Sequence, residues 1–288
     1  MSTGSVPAIS FDRHGPPMPV SPIILSVPHA GREYPAAMLS ALRLPIDALL
    51  SLEDRFIDQV ALTARRQETL YVQRPARAWI DLNRSEHERD PKLDDGADRR
   101  TMPTESIKLR SGLGLVPRRI ADGGDIWRRR LRGDEVDARI ANDYRPYHAA
   151  LGATLAAARA RFGIAILLDI HSMPPLGAPD DAARIVFGDR FGRAAASAIV
   201  ARAEAAADSH GVRHALNTPY SGGHILDRHA RPNQGIHAVQ VEFDRSLYLD
   251  ALLDQPGTGL PAAAVLLRSI IDALADEALS LRTPIAAE

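Results

Sequence analysis

Three short apolar runs in this chain each lead to a residue able to bind or activate a metal ion. Ile23, Ile24, Leu25 and Val27 lead to His29, the run 164–170 leads to His171, and the run 237–241 leads to Glu242. Runs of this length, closed by Pro, Gly or a polar residue, read as buried strands. Between them the hydrophobic period changes to that of a helix. One helix is expected over 46–66, with Leu49, Phe56, Ile57, Val60 and Ala64 at helical spacing. Another is expected over 134–161, with Val136, Ile140, Tyr147, Leu151 and Leu155 inward and Pro146 kinking it. An Ala-rich helix is read at 190–209 and a closing helix at 261–278, with further short strands at 69–72, 78–80 and 184–187. The stretch 218–235 carries Gly, Pro and Asn and reads as a loop. Strands alternating with helices imply an α/β fold, a sheet with helices on both faces.

Two stretches fall outside this rhythm. Residues 1–20 are polar and Pro-bearing and read as a flexible N-terminal arm. From 84 to 110 there are seven basic and seven acidic side chains with little apolar content, so a solvated, lid-like excursion is expected near 84–118. With no internal repeat and no linker, 21–288 reads as a single domain.

Composition narrows the function. Hydrophobic residues make up 45% and charged residues 25%, ordinary values for a globular protein. The net charge of −1 gives no field to gather nucleic acid or an anionic membrane, so neither is expected as a partner. No apolar run approaches a membrane span, and the first residues lack the apolar core of a signal peptide. There is no cysteine, which excludes disulfides, a catalytic thiol and thiolate-bound zinc. Any transition-metal site must therefore use His, Asp and Glu, and a cytoplasmic setting is expected. Lysine occurs only at Lys92 and Lys108; nearly all positive charge is arginine.

In an open α/β sheet, ligands bind at the carboxyl ends of parallel strands. Two histidines and a carboxylate placed there are the parts of a catalytic metal site. Asp169 and His171 lie two apart on a strand and share a face, so the carboxylate is placed to orient the ring; the competing reading is a hydrogen-bonded core histidine. Pro28 and Gly31 flank His29 and make a sharp exit from the strand, although a surface-loop histidine reads the same way. For the third ligand, spacing leaves Glu33, Glu53 and Asp54 open. Glu242 shares a strand face with Ala238 and Gln240, where a carboxylate is paired, liganded or catalytic. It suits a general base or a structural ion pair with an arginine. Asn83 and Arg84 close another short strand and offer an amide and a guanidinium fork for a substrate carboxylate, or a plain surface turn.

Taken together, the segments SVPHAG (26–31), EDRFID (53–58), DLNR (81–84), SGLGLVPR (111–118), PYH (146–148), DIHSMP (169–174), GDRFG (188–192), and NTPYSGGHILDRH through VQVEFDRSLY (217–248) resemble the N-formylglutamate amidohydrolase (N-formylglutamate deformylase) family. They occur in the family's order. That family in turn resembles zinc carboxypeptidases and aspartoacylases. The resemblance implies a three-layer α/β/α fold with a mostly parallel, mixed, twisted sheet of phosphorylase/hydrolase type. It also implies one zinc ion per chain held by His29, Asp54 and His171, with Glu242 as base. Asn83 and Arg84 are implied as a substrate-carboxylate clamp, with Arg228 as a second candidate. The expected substrate is a small N-acyl amino acid, N-formyl-L-glutamate first. Another N-acyl amino acid amidohydrolase or carboxypeptidase-like metallohydrolase is the nearest alternative. A non-catalytic carboxylate-binding protein is the alternative from a different class.

Overall fold

Alternation along the central strands decides which side chains reach the site. The computed structural model describes residues 9–98, 107–120, 124–178 and 181–281. In chain order the elements are β1 (Phe11–His14), β2 (Ile23–Val27), α1 (Ala36–Ala41), a 3-10 helix (Ile46–Leu52), α2 (Ile57–Ala64), β3 (Thr69–Gln73), α3 (Ile107–Arg110), α4 (Gly133–Arg139), a π-helical segment (Ile140–Tyr144), α5 (Arg145–Phe162), β4 (Ala165–Met173), β5 (Ile185–Gly188), α6 (Ser197–Ser209), β6 (His214–Leu216), α7 (His224–His229), β7 (Ile236–Asp244) and α8 (Leu260–Ser280). The sheet order is β1-β3-β2-β4-β7-β5-β6. The four inner strands β3, β2, β4 and β7 are parallel; β1 and β5 join them antiparallel, and β6 runs parallel to β5. This is the mostly parallel, mixed sheet expected.

On one face, Ile166, Leu168 and Ile170 of β4 join Val239, Val241 and Phe243 of β7 in a core completed by α2, α6 and α8. On the other face, Ala165, Leu167 and Ala238 pack with Tyr147, Leu151 and Leu155 of α5. Further along that second face the apolar residues give way to Ser26 on β2, Asp169 and His171 on β4, and Gln240 and Glu242 on β7, all buried. The register sets Ser26 beside Asp169, Asp169 beside Gln240, and His171 beside Glu242. One sheet face is thus a packed core at its lower end and a polar floor towards the carboxyl ends of the strands.

Several elements differ from the sequence reading. The helix expected over 46–66 is broken: the 3-10 helix stops at Leu52, Phe56 is left-handed at φ 56°, and α2 starts at Ile57. The Asp54 amide donates to the His29 carbonyl at 3.0 Å, so this stretch is bonded to the β2 exit and not to a helix. The expected strand at 78–80 is a turn, with the Trp79 amide on the Ala76 carbonyl. The helix over 134–161 is continuous through the π-helical segment, where the Arg145 amide reaches back to the Ile140 carbonyl, and Pro146, which has no amide hydrogen to place, follows at once. The helix expected from 190 begins only at Ser197, because Arg190, Phe191 and Gly192 all have positive φ. The loop 218–235 contains α7, and residues 11–14 of the expected arm form β1. β4 and β7 run on to Met173 and Asp244, so His171 and Glu242 lie just short of the strand ends. Part of the excursion is packed: Asp90, Leu93 and Asp94 are buried. Its residues 99–106 lie outside the described residues. No described helix is long and apolar enough to cross a membrane.

The chain leaving β2 passes close beneath residues 74–75. A Cβ on Gly31 would stand 2.1 Å from the Pro75 carbonyl oxygen. Gly31→Ala should therefore cost about 1–3 kcal/mol in denaturant-induced unfolding, the scale of forced overpacking. A cost near zero would show that the β2 exit yields freely.

Candidate metal centre

His29 follows the β2 exit, Asp54 sits in the break before α2, and His171 lies near the end of β4. Their ligand atoms lie within 4.8 Å of one another, and all three residues are buried. Each imidazole uses its Nε2 on a carboxylate behind it: His29 on Asp81 Oδ1 at 2.7 Å, His171 on Asp169 Oδ2 at 2.8 Å. Those partners fix the proton on Nε2 and turn the Nδ1 lone pairs inward. His171 Nδ1 lies 3.0 Å from Asp54 Oδ2. His29 Nδ1 lies 3.6 Å from the same oxygen and is a buried nitrogen without a hydrogen-bond partner. A buried lone pair left unpartnered is costly. A cation among these three atoms satisfies it, so the donor set fits a metal ion of the type that takes imidazole and carboxylate ligands.

Electrostatics favours the same reading. Burial acts to raise the Asp54 carboxyl, but the adjoining imidazoles of His171 and His29 override it and hold the group well below the usual carboxylate range. Burial opposes charging of His171, yet the Asp169 carboxylate outweighs it and raises the imidazole well above its ordinary value. Asp81 is likewise held low against burial, chiefly by the charges of Arg77, His29 and Arg84. Asp169 is steadied in turn by the Ser26 hydroxyl, which donates to it at 2.6 Å. Three carboxylates thus surround two imidazoles, with Arg77 2.9 Å from Asp81 and Arg245 3.5 Å from Asp54.

Glu242 faces this group from β7. Gln240 Nε2 donates to its Oε1 at 2.9 Å. Burial first, then the charges of Asp54 and Asp169, push its carboxyl up to about 7, against the downward pull of His171 and Arg77. His29, Asp54, His171 and Glu242 line one cavity of about 390 Å³.

The carboxylate clamp is reached less simply. Asn83 and Arg84 line the same cavity, but Asn83 Oδ1 already accepts from the Ile225 amide and its Nδ2 reaches Gln240 at 3.4 Å. Arg84 Nε donates to the Leu113 carbonyl and Nη1 to the Asn83 carbonyl, which leaves Nη2 buried without a partner. The free fork expected at Arg84 is therefore reduced. Arg228 is not brought to the cavity: it lies on α7 with its guanidinium 5.7 Å from the Tyr144 ring. Sequence reasoning missed Arg77, Lys108, Tyr220 and Arg245, which also line the cavity. It also missed Asp81 as the partner of His29, since nothing local marks a contact between residues 52 positions apart.

Residues 21–249 match the family described as N-formylglutamate amidohydrolase. The chain belongs to the N-formylglutamate amidohydrolase family. It is 28% identical over 241 residues to an N-formylglutamate deformylase of Pseudomonas aeruginosa, covering 80% of this chain and 82% of that protein. It is 30% identical over 244 residues to an N-formylglutamate deformylase of Pseudomonas putida, with the same coverage of 80% and 82%. A solved N-formylglutamate amidohydrolase from Ralstonia eutropha JMP134 superposes with a TM-score of 0.83 at 29% identity, covering 95% of this chain and 98% of that one. The family resemblance carried by the short motifs is borne out. As a member of the N-formylglutamate amidohydrolase family, the chain is a hydrolytic enzyme that acts on an amide.

Two outcomes follow from this geometry. Asp81→Asn keeps the shape behind His29 but removes the charge, and divalent-metal affinity measured against a competing chelator should fall about 10- to 100-fold. Unchanged affinity would remove Asp81 from the support of the site. Glu242 holds a proton in the folded, metal-free protein that the unfolded chain gives up more readily. The stability linked to it is complete below the ordinary value of 4.5 and is lost as pH rises through about 7. About one unit above that upper value, metal-free Glu242→Gln should be the more stable protein, on the order of 1–3 kcal/mol, with the gain vanishing in acid. A variant no more stable than wild type at the higher pH would show that the buried carboxylate is compensated.

Proposed function

We propose that this enzyme hydrolyses the amide bond of N-formyl-L-glutamate to formate and L-glutamate, using one zinc ion held by His29, Asp54 and His171. The observation that carries the reading is the convergence of two inward Nδ1 atoms and one carboxylate oxygen, with Glu242 facing them across the same cavity. The substrate is taken from relatives named N-formylglutamate deformylase. The cationic wall of the cavity supports a substrate bearing carboxylates. When bound, zinc supplies Lewis acidity, which polarises an amide carbonyl and eases deprotonation of water.

The remaining work falls to this chain's own side chains. Asp81 and Asp169 keep the two imidazoles aimed inward through their Nε2 hydrogens. Gln240 holds Glu242 by Oε1, leaving Oε2 to take a proton from the attacking water and hand it to the departing amine nitrogen. One positioned carboxyl that accepts the proton and then returns it serves both halves of that transfer. Arg77, bonded through Nε to Asp81 at 2.9 Å, brings positive charge to the metal end of the cavity, where it would stabilise negative charge developing on an attacked carbonyl oxygen. Arg84 Nη2, which no acceptor among the described residues claims, is the donor left for a substrate carboxylate once the side chain shifts toward the cavity it lines.

The test is a panel of N-acyl amino acids on zinc-loaded protein, with N-formyl-L-glutamate turned over fastest. Glu242→Gln should lose about 10²- to 10⁴-fold in kcat, the usual worth of a positioned acid–base group, while zinc content stays at about one per chain. Protein that takes up no zinc from excess would overturn the metal assignment. Near-normal turnover by the variant would return Glu242 to a structural role.

A further inference from the structure

A substrate with two carboxylates needs two cationic contacts. Most of the cations that line the cavity are already committed. Arg190 gives Nε and Nη2 to the two oxygens of Asp227 at 2.8 and 2.7 Å. Arg245 bonds to the Ser172 hydroxyl and the Glu53 carbonyl. Arg77 is tied to Asp81, and its surroundings include Asp54 and Glu242, which places it at the metal end. Arg84 retains Nη2 alone. Lys108 has no hydrogen bond or ion pair from its ammonium among the described residues, and it lines both the main cavity and the adjoining hollow at its mouth.

Its position is built. Lys108 lies on α3, a single turn anchored by buried Leu109. The Ser111 hydroxyl bonds to the carbonyls of Ile107 and Lys108 at 3.0 Å each. The Leu113 amide donates to the Lys108 carbonyl at 2.8 Å, and the Leu113 carbonyl accepts from Arg84 Nε at 2.8 Å. Two successive bonds through Leu113 therefore fix the Lys108 backbone against Arg84. Partial desolvation, then the positive charges of Arg84 and Arg77, lower the Lys108 ammonium to about 8, so it remains mainly charged at neutral pH. A cation held beside other cations in a polar cavity gains from an anionic ligand.

We infer that Lys108 is the specificity-determining residue for the distal carboxylate of the substrate, with Arg84 on the α-carboxylate. The inference rests on the proposed hydrolysis of an N-formyl amino acid and names the group that tells glutamate from its neutral isostere. A compact ammonium on a flexible stem suits a carboxylate at the end of a flexible side chain.

The experiment compares N-formyl-L-glutamate with N-formyl-L-glutamine in wild type, Lys108→Met and Lys108→Arg, all zinc-loaded. Calorimetric titration of L-glutamate and L-glutamine into the same proteins gives a readout independent of turnover. Lys108→Met should lower the glutamate-over-glutamine ratio of kcat/KM about 10- to 100-fold, the scale of a hydrogen bond to a charged group, mainly through KM. The calorimetric preference for glutamate should fall in parallel, and Lys108→Arg should recover part of both. Because Lys108 is exposed at the cavity mouth, neither variant threatens the fold. A ratio within twofold of wild type in Lys108→Met overturns the assignment of Lys108 and leaves the hydrolytic reading standing. Wild type that shows no preference for the acidic side chain in either readout overturns the substrate reading and the inference together.

Discussion

The pairing of each inward-facing imidazole with a buried carboxylate at its far nitrogen is the constraint on which the site depends. Without Asp81 and Asp169, the rings of His29 and His171 are free to turn or to change tautomer, and the two Nδ1 atoms no longer meet at Asp54. The supports have supports of their own. Asp81 also holds Arg77 through Oδ2, while Asp169 takes the Ser26 hydroxyl, which itself lies 3.0 Å from the Tyr147 hydroxyl on α5. The packing of α5 on the sheet therefore reaches the candidate metal centre through three successive polar contacts. In a low-dielectric interior such a network is valuable only when nearly every member is satisfied, and the member left over here is the lone pair of His29.

The sheet makes this possible by changing character along one face. The residues opposite α5 are Ile24, Leu167 and Ala238 at one level and Ser26, Asp169 and Gln240 two residues on. The other face stays apolar along the same length and packs on α2, α6 and α8. The burial of that wholly apolar face stabilises strands that carry several buried charges. A register slip of one residue between β4 and β7 would exchange Glu242 for Val241 or Phe243 beside His171.

Much of this was legible where a signal is local. The apolar runs that end in His29, His171 and Glu242 mark the inner strands, and Asp169 with His171 is a spacing of two on a strand. Asp54 was chosen by family resemblance alone. Periodicity placed it in a helix, whereas the structure places it in the break that its own bond to His29 helps to create. Partnerships made across the sheet leave no trace in spacing, so Asp81 stayed unassigned. Arginine is so frequent in this chain that no single one stands out. Arg228, implied by the resemblance, does not line the cavity, while Arg77 and Arg245, which no motif marks, do. Arg84 illustrates a different limit: it lines the cavity, but two of its donors are claimed by carbonyls that only the fold brings near.

The bond from the Asp54 amide to the His29 carbonyl makes these two ligands parts of one local unit, whereas His171 arrives from 117 residues beyond Asp54. An ion shared among them is therefore a clasp across a long loop of chain. Such a clasp favours the folded state in proportion to the logarithm of free metal over its dissociation constant. An ion held by these three residues would therefore stabilise the folded sheet as well as equip the cavity that they line.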